Sequence, residues 1–421
     1  MAIAFAVSNP VSLRARYQSV RQRSLSLCEP LTPEDMMVQS CPEASPAKWH
    51  LAHTAWFFES FVLREFLPGY RLFNPDFPWL FNSYYQTFAE FPDKRLRASF
   101  SRPPLSQVLQ YRQHVDQAIA KLLETDAPEE ALRRIDLGLH HEEQHQELLL
   151  TDIQHALFTN PLQPPYLPAT PETESKPTPI EFLPSPGGLA EIGHQGEDFS
   201  FDNERPRHRV WLEPFQLASR LVTCAEYAEF IADGGYRRPE LWLSAGWQAV
   251  QENRWQAPLY WRKQDQDWTI FSLRGPRALK AQANSPVTHV SLYEADAYAH
   301  WAAKRLPTEP EWESVAACCP IQGNFLDSAA LRPQPSKPSS STPIQLFGDC
   351  WEWTASAYLG YPGFQPLPGS LGEYNGKFMS GQMVLRGGSC VTPAAHIRAT
   401  YRNFFPPETR WQFSGIRLAS W

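Results

Sequence analysis

The chain has 421 residues, of which 43% are hydrophobic, so it is long enough to form two or more domains with separate cores. Its formal net charge is −7 and its basic residues are scattered, which argues against a nucleic-acid-binding or membrane-surface protein. The chain has seven cysteines and no Cys-x-x-Cys pair, which argues against a disulfide framework or a thiolate zinc site. Residues 1–7 do not resemble a signal peptide, and no apolar run has membrane-spanning length. We therefore expect a soluble cytoplasmic protein with reduced thiols.

Four long helices are predicted in the first part of the chain. Apolar residues at helical spacing predict one over residues 12–27, and an aromatic-rich stretch predicts a second over 49–66, ended by Pro68-Gly69. After an irregular, proline-punctuated stretch at 70–103, two more helices are predicted over 106–123 and from 128–131 to 158. Four helices with leucine and aromatic stripes are what a four-helix bundle needs, and the core of a bundle is where metal sites are built.

The last of these helices carries His141-Glu142-Glu143-Gln144-His145. His141 and His145 are four residues apart and therefore share one face of the helix, where two imidazoles can hold one metal ion. Two other interpretations stay open. The pair can be a polar helix face, and the run also matches the His-Glu-x-x-His pattern of zinc hydrolases, in which Glu142 would be the general base.

The second part of the chain has a different character. Residues 160–179 are rich in Pro, Thr, Ser and Glu, which is typical of a linker. Beyond it the predicted elements are short: a strand at 209–212 and helices at 224–232 and 292–304 are the clearest. A Ser- and Pro-rich stretch at 327–343 is predicted to be a surface loop. These features divide the chain into a helical region at 1–160, a linker at 161–180 and a second domain at 181–421.

Several motifs resemble known families. Trp49-His50-Leu51-Ala52-His53 followed by His141-x-x-x-His145-x-Glu147 resembles the three-histidine signature of DinB-like domains. The second part resembles the formylglycine-generating-enzyme (sulfatase-modifying-factor) domain, a C-type-lectin-like α+β fold, in runs at 305–313, 348–354, 385–389 and 402–417. In this order, over nearly the whole chain, the motifs resemble the ergothioneine-biosynthesis sulfoxide synthases (EgtB-type). The resemblance implies a multidomain α and α+β protein: a DinB-like four-helix bundle followed by a C-type-lectin-like domain.

The resemblance also implies an oxidoreductase with non-haem Fe(II), held by His53, His141 and His145. Three histidines leave positions open for substrates and O2. The family joins the thiol of cysteine or of γ-glutamylcysteine to C2 of the imidazole of hercynine (Nα-trimethylhistidine) and oxidises the sulfur to a sulfoxide. The implied partners are therefore small molecules, with no nucleic acid and no membrane, and the oligomeric state stays open.

Other site residues follow from the same resemblance. Gln144 and Asn403 match residues that hold hercynine in the family, although Gln144 can also be a solvated helix residue. No tyrosine directly precedes the run at 385–389, where one branch of the family has its catalytic Tyr. Tyr84 and Tyr85 are the expected replacements, with simple aromatic packing as the alternative.

The thiol donor is predicted from a further departure. One branch of the family has a carboxylate where this chain has Phe405, in Asn403-Phe404-Phe405, so free cysteine is expected rather than γ-glutamylcysteine. The carboxylate of cysteine needs a guanidinium partner. Arg97, Arg102 and Arg410 are the candidates, each with a surface position or a structural ion pair as its alternative.

Some alternatives keep the chemistry and change the substrate: histidine, as in ovothiol synthesis, or a selenosugar, as in selenoneine synthesis. Ovothiol enzymes usually carry a further methyltransferase domain, for which no residues follow Trp421. Cys390 lacks a neighbouring cysteine, so formylglycine-generating activity is not expected, and the second domain is interpreted as a lid and substrate-binding wall. A zinc hydrolase and a non-catalytic binding protein are the alternatives of another class.

Overall fold

The computed structural model describes residues 10–170, 176–265, 267–336 and 342–421. Residues 1–7, for which no signal peptide was expected, lie outside the described residues, as do 171–175 of the expected linker and 337–341 of the expected surface loop. The chain forms two compact units. The first consists of the described part of Met1–Asn160 with two later segments, Gly196–Phe199 and Leu367–Tyr374, and the second consists of Pro161–Gln195, Ser200–Pro366 and Asn375–Trp421.

The first unit is helical. Its helices are α1 (Pro10–Ser26), α2 (Ala47–Phe58), α3 (Arg64–Phe66), α4 (Phe77–Leu80), α5 (Leu105–Leu123) and α6 (Glu129–Thr159). The four predicted long helices are confirmed as α1, α2 with its continuation, α5 and α6. Pro128 precedes α6, and Glu129 and Glu130 in its first turn favour a helix start there because acidic groups stabilise the amino end of a helix.

The helix predicted over 49–66 is not uniform. Between α2 and α3 the chain makes a wider π-helical turn at Glu59–Leu63. There the buried Glu59 carboxylate accepts hydrogen bonds from the hydroxyls of Tyr70 and Tyr111 and from the amide of Phe73. The π-helical turn thus begins at the residue whose buried carboxylate binds partners outside the helix. Apolar periodicity could not predict this change in helical geometry.

Helix α2 lies at the centre of the first unit. All of its residues are buried, and it packs against both α5 and α6, while α1 packs against α6 and α5. A helix that is buried on every side must satisfy or use each polar group it carries. His50 and His53 are therefore the residues of α2 whose environment decides whether the unit holds a site.

The second unit combines short helices with four small sheets. Its helices are α7 (Cys224–Ala232), α8 (Ser244–Asn253), α9 (Leu292–Trp301) and α10 (Glu309–Ala316). Thr223, Ser291 and Thr308 begin three of them with capping boxes, in which the cap hydroxyl and a glutamate three residues later exchange hydrogen bonds with the backbone. The predicted helices at 224–232 and 292–304 are confirmed, the second ending at Trp301.

The strands of the second unit are β1 (Phe182–Ser185), β2 (Gly188–Ile192), β3 (His208–Leu212), β4 (Phe215–Ala218), β5 (Trp261–Gln264), β6 (Asp267–Ser272), β7 (Gly275–Ala278), β8 (Trp351–Ala357), β9 (Met383–Arg386), β10 (Asn403–Phe405), β11 (Ser414–Gly415) and β12 (Ala419–Ser420). They pair mainly antiparallel, in sheets ordered β1-β4-β12, β10-β9-β8-β11, β2-β3 and β5-β6-β7, with β11 parallel to β8. The strand predicted at 209–212 is β3.

Many motif residues of the second part are buried in its core. The register of β8 and β9 places Glu352 opposite Arg386. Arg386 pairs with Glu309 and Glu313 of α10, while Glu352 pairs with Arg417. Since these charged groups are buried and mutually paired, their first role is to hold strands and helix together.

All seven cysteines lie in the described chain, and no two of them are joined by a disulfide there. Among the described residues no helix is both long enough and apolar enough to cross a membrane.

Candidate metal centre

Three histidines from two helices converge inside the first unit. His53 comes from α2, and His141 and His145 come from successive turns of one face of α6. One ring nitrogen of each lies within 4.8 Å of those of the other two. We call these residues the three-histidine site.

The three-histidine site fits a metal ion. His53 and His141 are fully buried, and burial lowers the pKa of His141 to about 3. The pKa values of His53 and His145 are also lowered, first by burial and then by the charge of neighbouring histidines. The rings are therefore neutral at pH 7, the form that binds metals. Within the described chain, Nε2 of His53 and both ring nitrogens of His141 lack a hydrogen-bond partner, which is costly for buried polar atoms unless a ligand uses them.

Aromatic rings restrict the orientation of the imidazoles. Trp49 and Trp56 stack on the two sides of His53, with ring centroids 4.4 and 5.1 Å from it. Phe57 stacks on His141 at 4.7 Å. Aromatic residues of the stretch predicted as a helix over 49–66 thus form walls of this site.

Glu142 does not face the site. Its carboxylate accepts hydrogen bonds from Arg21 Nη1 (2.9 Å), Arg112 Nη2 (2.9 Å) and Ser24 Oγ (2.6 Å). Burial raises the pKa of this carboxyl, but the two guanidinium charges outweigh it and bring the pKa to about 2. A general base must reach the proton it abstracts, and Glu142 is fully occupied elsewhere. The geometry therefore contradicts the zinc-hydrolase alternative.

Tyr84 and Tyr85 lie side by side, with ring centroids 4.6 Å apart and hydroxyl oxygens 3.4 Å apart. Tyr85 is buried against Trp56 and Phe61. Burial is the largest cause raising the pKa of both phenols, so both keep their proton at neutral pH.

A third tyrosine was missed by the sequence analysis. The ring centroid of Tyr374 is 6.0 Å from that of Tyr84 and 6.0 Å from that of His141. Tyr374 belongs to Leu367–Tyr374, the late segment that is part of the first unit. Tyr374 lies eleven residues before Leu385, beyond the four residues that directly precede the run at 385–389.

The loop that carries the tyrosine pair is held by hydrogen bonds. Asn82 donates to the carbonyls of Tyr85 and Ala89 and accepts from the amide of Tyr85. The carboxylate of Glu373 accepts from the amides of Gln86 (3.1 Å) and Thr87 (2.9 Å) and from the Thr87 hydroxyl. Glu373 thus ties the segment bearing Tyr374 to the loop bearing Tyr84.

The structure separates the three candidate arginines. Arg97 is buried and donates to Ser45 Oγ and Ser83 Oγ, while its guanidinium carbon lies 3.4 Å from the ring centroid of Trp49. Burial lowers its pKa to about 9. No carboxylate among the described residues hydrogen-bonds to it, so it is available to a ligand anion. Arg102 is exposed.

Arg410 has a different environment from the one a substrate ligand would need. It is buried in the second unit and makes two hydrogen bonds of 2.8 Å to the carboxylate of Glu294. It also bonds to the carbonyl of Ala257. This is the structural ion pair that was its alternative interpretation.

The other predicted residues lie in two places. Gln144 is half-buried on α6 next to His145. Asn403, Phe404 and Phe405 form β10 of the second unit and are half-buried. The side chain of Asn403 accepts from the amide of Phe404, and the ring of Phe404 stacks on Tyr358 at 4.0 Å. Contacts within the second unit thus hold β10 in place.

Comparison with known proteins matches both parts of the chain. Residues 16–156 match the DinB superfamily, and residues 168–342 and 327–420 match the sulfatase-modifying factor enzyme 1-like domain. The predicted helical DinB-like region and the α+β formylglycine-generating-enzyme-like region are confirmed.

Two curated relatives match this chain over nearly its whole length, and a third matches part of it. The hercynine oxygenase of Mycolicibacterium smegmatis is 34% identical over 95% of this chain and 96% of its own length. That of Mycobacterium tuberculosis is 32% identical over 98% of this chain and 99% of its own length. The formylglycine-generating enzyme of Streptomyces coelicolor is 35% identical over 31% of this chain and 45% of its own length.

Proposed function

This chain belongs to the hercynine oxygenase family, and we propose that it is an Fe(II)- and O2-dependent sulfoxide synthase of ergothioneine biosynthesis. The reaction joins the sulfur of cysteine to C2 of the hercynine imidazole. The observation that carries the proposal is the three-histidine site: neutral imidazoles with one ring nitrogen each within 4.8 Å of the others, where His53 and His141 are buried and, among the described residues, keep ring nitrogens without a hydrogen-bond partner.

The reaction balances with one O2. A C–H bond of the imidazole and the S–H bond of cysteine are lost and a C–S bond forms, while one oxygen atom is added to the sulfur. These changes remove four electrons from the substrates, and O2 accepts them; its second oxygen atom leaves as water.

The iron would be held by His53, His141 and His145. When bound there, it would supply O2 activation and a binding position for the thiolate. The stacked rings of Trp49, Trp56 and Phe57 hold two of these imidazoles in place. Because rigid positioning of reactants supplies much of the rate in such reactions, packing around the site is part of its function.

The tyrosine pair would steer the outcome of the reaction. A protonated phenol at Tyr84 or Tyr85 can donate its hydroxyl proton to the oxygen atom that leaves as water and regain a proton from the imidazole C–H that is lost, which favours coupling over simple oxidation of the thiol. Burial raises the pKa of both phenols, so each holds its proton at neutral pH and gives it up only to a strongly basic acceptor. Tyr84, nearer to Tyr374, is our first choice for the donor.

Arg97 is proposed to bind the carboxylate of the amino-acid substrate. It is a buried guanidinium to which no carboxylate of the described residues is hydrogen-bonded, and Trp49, on which it stacks, in turn stacks on His53. Buried charges of this kind are normally paired, so a substrate anion would supply the missing partner. Arg102 remains a weaker candidate, while Gln144, Asn403, Phe404 and Phe405 are proposed to contact hercynine.

The remaining expectations are proposals of the same kind. Helices α1, α2, α5 and α6 would constitute the four-helix bundle of a DinB-like domain over 1–160. After a linker at 161–180, residues 181–421 would form a C-type-lectin-like fold. We also propose cytoplasmic localisation and small-molecule substrates only.

The test is anaerobic reconstitution with Fe(II), followed by addition of hercynine, cysteine and O2 and by mass spectrometry of the products. We expect one sulfoxide-linked product per O2 consumed, with less or none when γ-glutamylcysteine replaces cysteine or histidine replaces hercynine. His141→Ala should abolish the product, whereas His155→Ala, on the same helix, should retain it. Iron binding and O2 uptake that yield only cysteine sulfinate would contradict the proposed coupling.

A further inference from the structure

A chain of hydrogen bonds runs from the three-histidine site into the protein interior. Nδ1 of His145 lies 2.8 Å from Nδ1 of His50, and Nε2 of His50 lies 3.1 Å from Oδ2 of Asp152. His50 is 3% exposed and Asp152 is 6% exposed. His50 lies on α2, and the sequence alone gives it no role.

The hydrogen-bond partners determine which ring nitrogens of His50 and His145 carry a proton. Asp152 is an acceptor when ionised, so Nε2 of His50 must carry the hydrogen. Nδ1 of neutral His50 is then an acceptor, so Nδ1 of His145 must donate to it. This arrangement leaves the lone pair of His145 on Nε2. The only nitrogen of His145 free to bind a metal is thus selected by a carboxylate two hydrogen bonds away.

Asp152, at the far end of the hydrogen-bond chain, accepts a further hydrogen bond. The amide of Ser45 donates to the same Asp152 oxygen at 2.8 Å. The hydroxyl of Ser45 accepts from Arg97, the proposed substrate-binding guanidinium. An acceptor atom is therefore required at this position of residue 152, whatever the charge of the side chain.

His53 and His145 are supported differently. Nδ1–H of His53 donates to the backbone carbonyl of Phe81 at 2.6 Å, a neutral partner. His145 is linked through His50 to an anion. Hydrogen bonds to a metal-binding imidazole fix its tautomer and raise its basicity, and an anionic partner raises it most.

We propose that His50 and Asp152 are positioning residues that set the tautomer of His145 and strengthen its bond to the metal ion. The inference rests on the metal site of the proposed function and is independent of which substrates are coupled.

The experiment compares Fe(II) dissociation constants, measured anaerobically by competition with a chelator, for the full-length wild type and variants. His50→Leu removes both hydrogen bonds and should weaken Fe(II) binding about 10–100-fold, the usual effect of losing such a partner. His50→Gln keeps an acceptor for His145 and a donor for Asp152 and should recover most of the loss. Asp152→Asn keeps the acceptor required by Ser45 but loses the charge, so its effect should be intermediate.

The control is His155→Leu, also on α6, whose ring hydrogen-bonds to Ser40 Oγ. It should bind Fe(II) like the wild type. A comparable loss of affinity in His155→Leu and His50→Leu would mean that general destabilisation, not the hydrogen-bond chain, sets the affinity, and would overturn the proposal.

A spectroscopic readout separates positioning from packing. In the Co(II)-loaded protein, the Nδ1–H of His145 should give a strongly shifted, slowly exchanging proton signal, because His50 holds it. This signal should be lost or exchange rapidly in His50→Leu and persist in His50→Gln. An unchanged signal and an Fe(II) affinity within about twofold of wild type in His50→Leu would refute the role of His50. If the wild type itself bound neither Fe(II) nor Co(II), the metal site and this inference would both fail.

Discussion

Replacing Glu142 by glutamine should destabilise the first unit and should not act as the loss of a catalytic base. The carboxylate is fully buried and bridges Arg21 and Arg112, two buried guanidiniums, with Ser24 as a third donor. Glutamine has nearly the same shape but no charge. Arg21 would retain Asp116 as a partner, whereas the pairing of Arg112 with a carboxylate would be lost.

The magnitude follows from two independent estimates. Removing one partner of a buried ion pair costs about 3–5 kcal/mol of folding free energy. The pKa of Glu142 falls from 4.5 in the unfolded chain to about 2 in the folded protein, which corresponds to about 3 kcal/mol at about 1.4 kcal/mol per unit. The folded-state pKa is depressed, so this stabilisation is complete above pH 4.5 and is lost as the pH falls towards 2.

The assay is urea unfolding of the metal-free protein at pH 7, followed by helical circular dichroism, with Fe(II) binding measured on a separate, reconstituted sample of the folded protein. Glu142→Gln should lose about 3–5 kcal/mol of stability. The matched control is Glu130→Gln on the same helix, where the exposed carboxylate pairs with Arg134 one turn away, and we expect a loss below about 1 kcal/mol. Wild-type stability with complete loss of turnover in Glu142→Gln would refute this reasoning and restore Glu142 as a general base.

Three further outcomes are expected. Tyr84→Phe should keep Fe(II) binding but lower the ratio of coupled sulfoxide to cysteine sulfinate formed from hercynine and cysteine by about tenfold or more. An unchanged ratio in both Tyr84→Phe and Tyr85→Phe would show that the two tyrosines serve only in packing. Glu373→Gln should weaken the clamp on the tyrosine loop and shift the same ratio in the same direction by a smaller factor, with Fe(II) affinity unchanged; no shift would show that the loop is held without it. Gly138→Ala should destabilise the metal-free protein by about 1–3 kcal/mol, because the added Cβ would lie 2.5 Å from a ring carbon of Phe58; wild-type stability in urea would show that the ring moves aside freely.

Much of the first unit could be predicted from local sequence features. Apolar periodicity and proline positions located α1, α2, α5 and α6, because each helix is defined by residues within a few turns of one another. The spacing of His141 and His145 also predicted their shared face. His53 entered only through family resemblance, since nothing local relates α2 to α6.

The other features of the site could not be predicted because they depend on residue pairs that are far apart in the sequence. The pairing of Glu142 with Arg21, 121 residues away, removes the hydrolase interpretation, and that of Arg410 with Glu294 makes this arginine structural. The contact of His50 with His145 spans 95 residues. A single sequence reveals which residues are chemically able to act, but these contacts depend on how helices and strands pack, which local patterns do not specify.

The same limit applies to the late segment that joins the first unit. Leu367–Tyr374 follows all of the predicted helices of the first part by more than 200 residues and looks like an ordinary loop in sequence. Its Glu373 holds the amides of Gln86 and Thr87, and its Tyr374 lies near His141. Chain order thus concealed part of the surroundings of the site.

The central claim is that His53, His141 and His145 together hold one iron ion. Anomalous X-ray diffraction at the iron absorption edge, from crystals grown anaerobically with Fe(II), tests it most directly. We predict a single strong peak within bonding distance of one nitrogen from each of the three imidazoles, with His145 contributing Nε2. A peak elsewhere in the protein, or no peak between these histidines at full iron loading, would contradict the account.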